Sequence, residues 1–335
     1  MEASEILRRV REIQVRTGRH VADVLAGEYV SVFRGGGVEF DEVRPYVPGD
    51  DVRTIDWNVT ARTGEPFVKR YVEERQLTLL LMADVSASQD FGSASRSKRE
   101  ATAELCALLA FSAIRNDDKV GLVLFHGDVE QYIPPRRGHK HALRVVREVL
   151  AHEGGALKLA AGNKSSSASR GVVARLRAVA DAAAGKLASG GRRLREARQG
   201  TDVARAIRFA MSVTKRRAVC FVVSDFLDEG FEQALLTANR KHDVIAVLVT
   251  DRRELELPPT GLVAMRDAET GETRLVDTGS AALRAHAEGL AKARVEELEK
   301  KLRRMGIDFL AIDAAGSVVE PLVRFFRMRE RRIRR

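Results

Sequence analysis

The sequence predicts an α/β protein, a doubly wound and mostly parallel sheet preceded by an N-terminal β-rich module. Three observations carry that reading. LTLLLMAD, from Leu77, is an unbroken apolar run ending in a carboxylate, the pattern of a central strand buried on both faces. After it, short apolar strands alternate with segments of helical periodicity to the C-terminus. Before it, SVFRGGGVEFDEVRPYVPGDDVRTIDWNVTARTGEPFVKRYVEERQ spaces Gly, Pro and Asp as short strands joined by turns do.

In chain order, MEASEILRRVREIQVRTG has no apolar stretch of the signal-peptide kind and reads as a charged amphipathic helix. In the β-rich module, Asp50 or Asp51 can cap a short helical turn carrying Val52, Ile55 and Val59. Gly35, Gly36 and Gly37 read as a turn, and Trp57, the single tryptophan, takes a packing role. The module spans residues 1–76 and the sheet domain 77–335. SRSKREATAELCALLAFSAIRNDD is a helix with Ser95 or Ser97 as N-cap. KVGLVLFHG is a strand, DVEQYIPP its hairpin partner, and HKHALRVVREVLAH a helix. His139 and His141 then lie on the surface, and Asp117 and Asp118, in the preceding helix-to-strand turn, face solvent.

Residues 158–200 are Ala, Gly, Ser and Arg with few large apolar side chains, an insertion outside the core. Alternation then resumes: TDVARAIRFAMSVTKR helix, AVCFVVSD strand, EGFEQALLTANRKH helix, DVIAVLVTD strand. Residues 257–278 form a hairpin excursion turning near Glu269–Gly271. A long charged helix from Ser280 to Met305, the strand IDFLAID and the helix VVEPLVRFF close the series.

The net charge of +10 sits in two appendages. Residues 158–200 hold ten Lys/Arg against two Asp/Glu, and Arg324–Arg335 holds seven Arg against Glu330, which leaves about −4 for the remainder. Cys106 and Cys220 lie inside apolar runs and read as buried thiols of a reducing compartment. No apolar stretch reaches the roughly 18 residues of a membrane span. The expected location is cytoplasmic.

Ligands of an open parallel sheet bind beyond the carboxyl ends of its strands. Polar oxygens occur at three such places: Asp84, Ser86 and Ser88 after the first sheet strand, Thr201 where a helix opens, and Asp225 after VVS. Two carboxylates and three hydroxyls form an all-oxygen set suited to a hard divalent cation, Mg²⁺ or Mn²⁺. Neutral hydroxyl ligands would leave positive charge on the ion, free to take a carboxylate from a partner. The catalytic alternatives lack parts. Asp84 as a phosphatase nucleophile needs an acid two residues on, where Ser86 stands; GxxxxGK[ST], HExxH and GxSxG are absent. His126 has a structural role in this reading.

The triplet Asp84, Ser86, Ser88 with Thr201 and Asp225 resembles the metal ion-dependent adhesion site of von Willebrand factor type A domains. FRGGGVEFDEVRPYVPGDDVRTIDWNVTARTGEPFVKRYVEERQ, FVVSDFLD and the pair HDVIAV with VTDRRE more specifically resemble the bacterial domain of unknown function family 58, from about Val30 to Arg327. The resemblance implies a von Willebrand A (Rossmann-like) fold with Asp84, Ser86 and Ser88 in the first metal loop, Thr201 in the second, and Asp225 in the third through water. It also implies a non-enzymatic adaptor of a MoxR-type AAA+ ATPase in chaperone-like or stress-related maturation. A client protein would supply an Asp or Glu to the metal. The 158–200 insertion is longer and more basic than the usual connection into the second loop. The alternative function is polyanion or nucleic-acid binding through that insertion and the arginine tail, which offers only Phe325 and Phe326 for base stacking.

Overall fold

The computed structural model describes Tyr29 and residues 37–74, 77–94, 96–152, 201–266 and 273–333. The predicted N-terminal helix, Ser95, the 158–200 insertion and the turn at Glu269–Gly271 lie outside the described residues. Contacts divide the chain into two compact units, one of Phe33–Leu77 and one that comprises Thr78–Arg335 and includes Tyr29.

In the small unit, β1 (Gly37–Pro45) pairs antiparallel with β2 (Phe67–Glu74), with a register shift between Phe40 and Glu42. Asp50 ties the turn by accepting both Arg44 guanidinium nitrogens at 2.6 and 2.8 Å. The expected turn splits in two. Asp51 caps a 3₁₀ turn, Val52–Thr54, and Asp56 caps α1 (Trp57–Thr63) by accepting the amides of Asn58 and Val59. Trp57 does not pack as expected. It stands first in α1 and is 69% exposed, on a short helix of seven residues none of which is buried.

The larger unit is a mixed α/β structure around a largely parallel six-stranded sheet. Its strands are β3 (Thr78–Asp84), β4 (Lys119–Phe125), β5 (Val129–Arg136), β6 (Val219–Ser224), β7 (Asp243–Thr250) and β10 (Asp308–Asp313). They lie in the order β10-β7-β6-β3-β4-β5, all parallel except β5, which pairs antiparallel with β4 as a hairpin should. The chain therefore runs outward from β3 in one direction and later returns to its other side with β6. The switch point lies between β3 and β6.

Burial explains the unbroken apolar runs. Leu79, Leu80, Leu81, Met82 and Ala83 of β3 are at most 1% exposed. Leu80 and Met82 join Cys220 and Val222 of β6 in one hydrophobic cluster with α4 (Val203–Val213), α5 (Glu232–Lys241) and Leu302 of α7 (Ala281–Arg304). Strand side chains alternate faces, so Leu79 and Leu81 point to the opposite layer. There α2 (Lys98–Arg115) packs on β3 and β4, and α3 (His139–Ala151) packs on α2. Ser97 caps α2 in a reciprocal box with Glu100, as predicted. Both cysteines are free and buried, and burial pushes each thiol up to about 12.

Several polar side chains differ from the sequence expectation. Asp118 is 1% exposed rather than solvent-facing and lies beside buried Tyr29, whose phenol is pushed up by burial first and then by the Asp118 charge. His141 is half-buried and fastens α3 to the sheet through a 2.9 Å contact between Nε2 and the Val120 carbonyl, whereas His139 is exposed as expected and stacks on Phe111. In α8 (Val319–Ile333), Arg329 bridges Asp243 and Asp308, and Arg332 binds Asp308. Those two arginines of the basic tail fasten the last helix to the starts of β7 and β10.

The excursion is a two-stranded ribbon, β8 (Leu262–Arg266) with β9 (Thr273–Asp277), whose Leu262 and Leu275 are about three-quarters exposed. No helix among the described residues is long and apolar enough to cross a membrane.

Candidate metal-binding site

The carboxyl ends of β3 and β6, adjacent in the sheet, bring Asp84, Ser86, Ser88 and Asp225 together. Asp84 ends β3 and is 2% exposed. One of its oxygens accepts the Ser86 amide at 2.9 Å, and the other accepts the Ser224 hydroxyl at 2.7 Å. Both donors are neutral. Burial, then the nearby charge of Asp225, raises the Asp84 carboxyl to about 7.

A 3₁₀ turn, Ala87–Asp90, holds the following loop. Ser86 Oγ lies 3.0 Å from Ser88 Oγ, and the Ser88 hydroxyl donates to Asp225 Oδ2 at 2.8 Å. Gln89 Nε2 donates to the same oxygen at 3.3 Å. Beyond the turn, Gly92 passes so close to Arg96 that a Cβ would stand 2.5 Å from its carbonyl oxygen. The loop is also anchored from the far side, since the Ser93 amide and hydroxyl both donate to Asp251. Asp251 caps α6 (Arg252–Leu255) at the end of β7 in a capping box with Glu254.

Asp225 follows β6 and is 2% exposed. Phe226 then turns the chain through a left-handed conformation, φ 49°, with its amide on Ser224 Oγ at 3.2 Å. Thr201 is buried one residue before Asp202, which caps α4 by accepting the Arg205 amide. Its segment is fastened to the site's neighbours: the Asp202 amide donates to the His126 carbonyl at 3.0 Å, and the Val203 amide to Asp228 Oδ2 at 2.9 Å. His126 thus joins the end of β4 to this loop through its backbone.

Sequence reasoning missed Ser224, Gln89 and Lys98. Lys98 is fully buried, with Nζ 3.2 Å from Asp225 Oδ2 and 2.6 Å from Glu254 Oε1. A lysine in SKRE at a helix start carries no local sign of burial, since charged side chains there ordinarily face water.

The oxygen set fits a hard cation. A Mg²⁺ octahedron with bonds of about 2.1 Å has adjacent oxygens about 3 Å apart, and the Ser86–Ser88 separation of 3.0 Å suits such an edge. Two nearby buried carboxylates, one with only neutral partners, also call for added positive charge. Among the described residues, no cluster of three or more His, Cys, Asp or Glu could hold a metal. The hydroxyls are therefore essential to this set.

Asp228 borders it. Its Oδ1 is buried without a hydrogen-bond partner among the described residues. Burial first, then Asp202 and Asp225, pushes its carboxyl up to about 6, against the opposing Val203 amide. The folded carboxyl binds its proton more tightly than the unfolded one near 3.9, so stability falls as pH rises from about 4 to 6. With partial exposure discounted, the loss is on the order of 2 kcal/mol. Asp228→Asn is expected to restore that amount at pH 7 and to change nothing below pH 4 in urea unfolding. An equal shift at both pH values would contradict the assignment.

Residues 42–297 match the family described as protein of unknown function DUF58. The chain belongs to that family. An uncharacterized protein of Mycobacterium tuberculosis (strain ATCC 25618 / H37Rv) is 28% identical over 323 residues, 96% of this chain and 89% of that protein. One of Mycobacterium bovis aligns with the same identity and coverage. Among solved structures, the conserved hypothetical protein BatB from Bacteroides thetaiotaomicron matches 76% of this chain and 99% of its own at 15% identity, TM-score 0.43. An aerotolerance-related membrane protein from Bacteroides fragilis matches 75% and 99% at 14% identity, TM-score 0.44.

Proposed function

We propose that this DUF58-family chain is a von Willebrand A-type, metal-dependent protein-binding adaptor without catalytic activity of its own. The observation that supports it best is the continuous contact of Asp84, Ser86, Ser88 and Asp225 at the switch point between β3 and β6. Asp84, Ser86, Ser88 and Thr201 would hold Mg²⁺ or Mn²⁺, with Asp225 completing the set through water. The bound ion would supply a Lewis-acidic position for one carboxylate oxygen from a partner.

The chain's own residues prepare that position. Ser224 and the Ser86 amide orient Asp84, while Gln89 and Lys98 orient Asp225. Phe91 and Leu227, 44% and 58% exposed, follow the two metal loops in sequence and offer apolar surface beside an acidic contact. A carboxylate-bearing partner suits this surface. The family resemblance points to a MoxR-type AAA+ ATPase, with a client protein as a further source of Asp or Glu.

The test is capture of the cognate ATPase by wild type and Asp84→Ala, each in Mg²⁺ and in chelator. Capture lost in chelator and in the variant is the expected result. Capture indifferent to both would overturn the adhesion mechanism and favour the basic segments.

A further inference from the structure

Lys98 introduces a cation where the metal reading needs an anion to be available. Its ammonium has no exposure and spans Asp225 and Glu254 at 3.2 and 2.6 Å. Asp225 Oδ2 thereby has three donors: Lys98 Nζ, Ser88 Oγ and Gln89 Nε2. Glu254 in turn is held by the Asp251 amide, which it accepts at 3.0 Å. The anchoring is thus independent of any ion. With Asp84, Asp225 and Glu254 ionised, the four side chains sum to −2, the charge that one divalent cation neutralises.

Resting on the metal reading above, we propose that Lys98 is a resident counter-cation that competes with the divalent ion for Asp225 and holds the site's affinity down. Two positive charges in a region of low dielectric repel strongly, and the water that would link Asp225 to the ion must also compete for an oxygen that Lys98 already occupies. Glu254 moderates the competition by drawing Lys98 toward α6. In this arrangement Lys98 already offsets one of the three negative charges while the site is empty, so a divalent ion meets a net charge of −2 rather than the −3 it would meet without the lysine.

The experiment is calorimetric titration of the full chain with Mn²⁺ alone, for wild type, Lys98→Met and Glu254→Gln. Lys98→Met is expected to bind at least tenfold more tightly, about 1.4 kcal/mol, and to show a larger Mn²⁺-induced rise in Tm. Glu254→Gln alters a side chain that is 32% exposed and leaves Lys98 with Asp225 alone. It is expected to bind at least threefold more weakly, and it decides the matter if Lys98→Met does not fold. Unchanged or weaker binding by Lys98→Met, or unchanged binding by Glu254→Gln, overturns the competition while leaving the metal site intact. Binding by none of the three overturns both. Binding by Lys98→Met alone supports the competition and removes metal-dependent adhesion from the wild-type chain.

Discussion

Asp84→Asn is expected to make the metal-free protein more stable while abolishing divalent-ion binding. Burial and Asp225 raise the Asp84 carboxyl to about 7, so ionising it in the folded protein costs up to about 4 kcal/mol relative to the unfolded chain. An asparagine removes that charge at nearly the same volume. Its oxygen can accept the Ser86 amide, and its NH₂ group can face Ser224, whose hydroxyl turns to accept. Some of the gain is lost to imperfect geometry, leaving about 2 kcal/mol, or roughly 4–8 °C in Tm for a unit of this size. Thermal unfolding in chelator and in excess Mg²⁺ checks both halves. The variant should exceed wild type in chelator and gain nothing from Mg²⁺. A variant less stable than wild type in chelator would mean that Asp84 is a structural acceptor first and a ligand second.

Phe221→Ala is expected to destabilise the larger unit by about 3–5 kcal/mol, the usual cost of emptying a buried aromatic site. Phe221 is fully buried in β6, aligned with Leu81 of β3 on one side and Ile245 of β7 on the other. No collapse of loops can fill the space, because both neighbouring strands are held by their own ladders. The same strand delivers Ser224 and Asp225 to the site, so the loss should also weaken ion binding. Urea unfolding measures the first effect and Mn²⁺ titration the second. Leu275→Ala, at a side chain 76% exposed on the β8–β9 ribbon, should stay within about 0.5 kcal/mol of wild type. A comparable loss in both variants would contradict the assigned core.

The sheet was legible because burial on both faces leaves an unmistakable trace. LTLLLMAD and VCFVVS admit little but central strands, and a carboxylate or serine at the end of such a strand must lie at the sheet's carboxyl edge. Asp84, Ser86, Ser88 and Asp225 meet for that reason. The hidden part of the site has no such trace. Lys98 is buried through long-range pairing with residues 127 and 156 positions away, which no local pattern encodes. Ser224 reads as the last residue of a strand until the adjacent β3 supplies Asp84. Asp118 and Trp57 depart from expectation in opposite senses: an aspartate in a turn is buried beside a tyrosine from far upstream, and a tryptophan opens a two-turn helix that has no buried residue. In each case a tertiary partner, or the lack of one, outweighs residue type.

Mn²⁺ titration of the purified full chain, wild type beside Asp84→Ala, tests the central claim most directly. One bound ion per wild-type chain, and none in the variant while its circular dichroism stays native, is the predicted result. Equal binding by both, or binding by neither, would contradict a metal centre built on Asp84, Ser86, Ser88, Thr201 and Asp225.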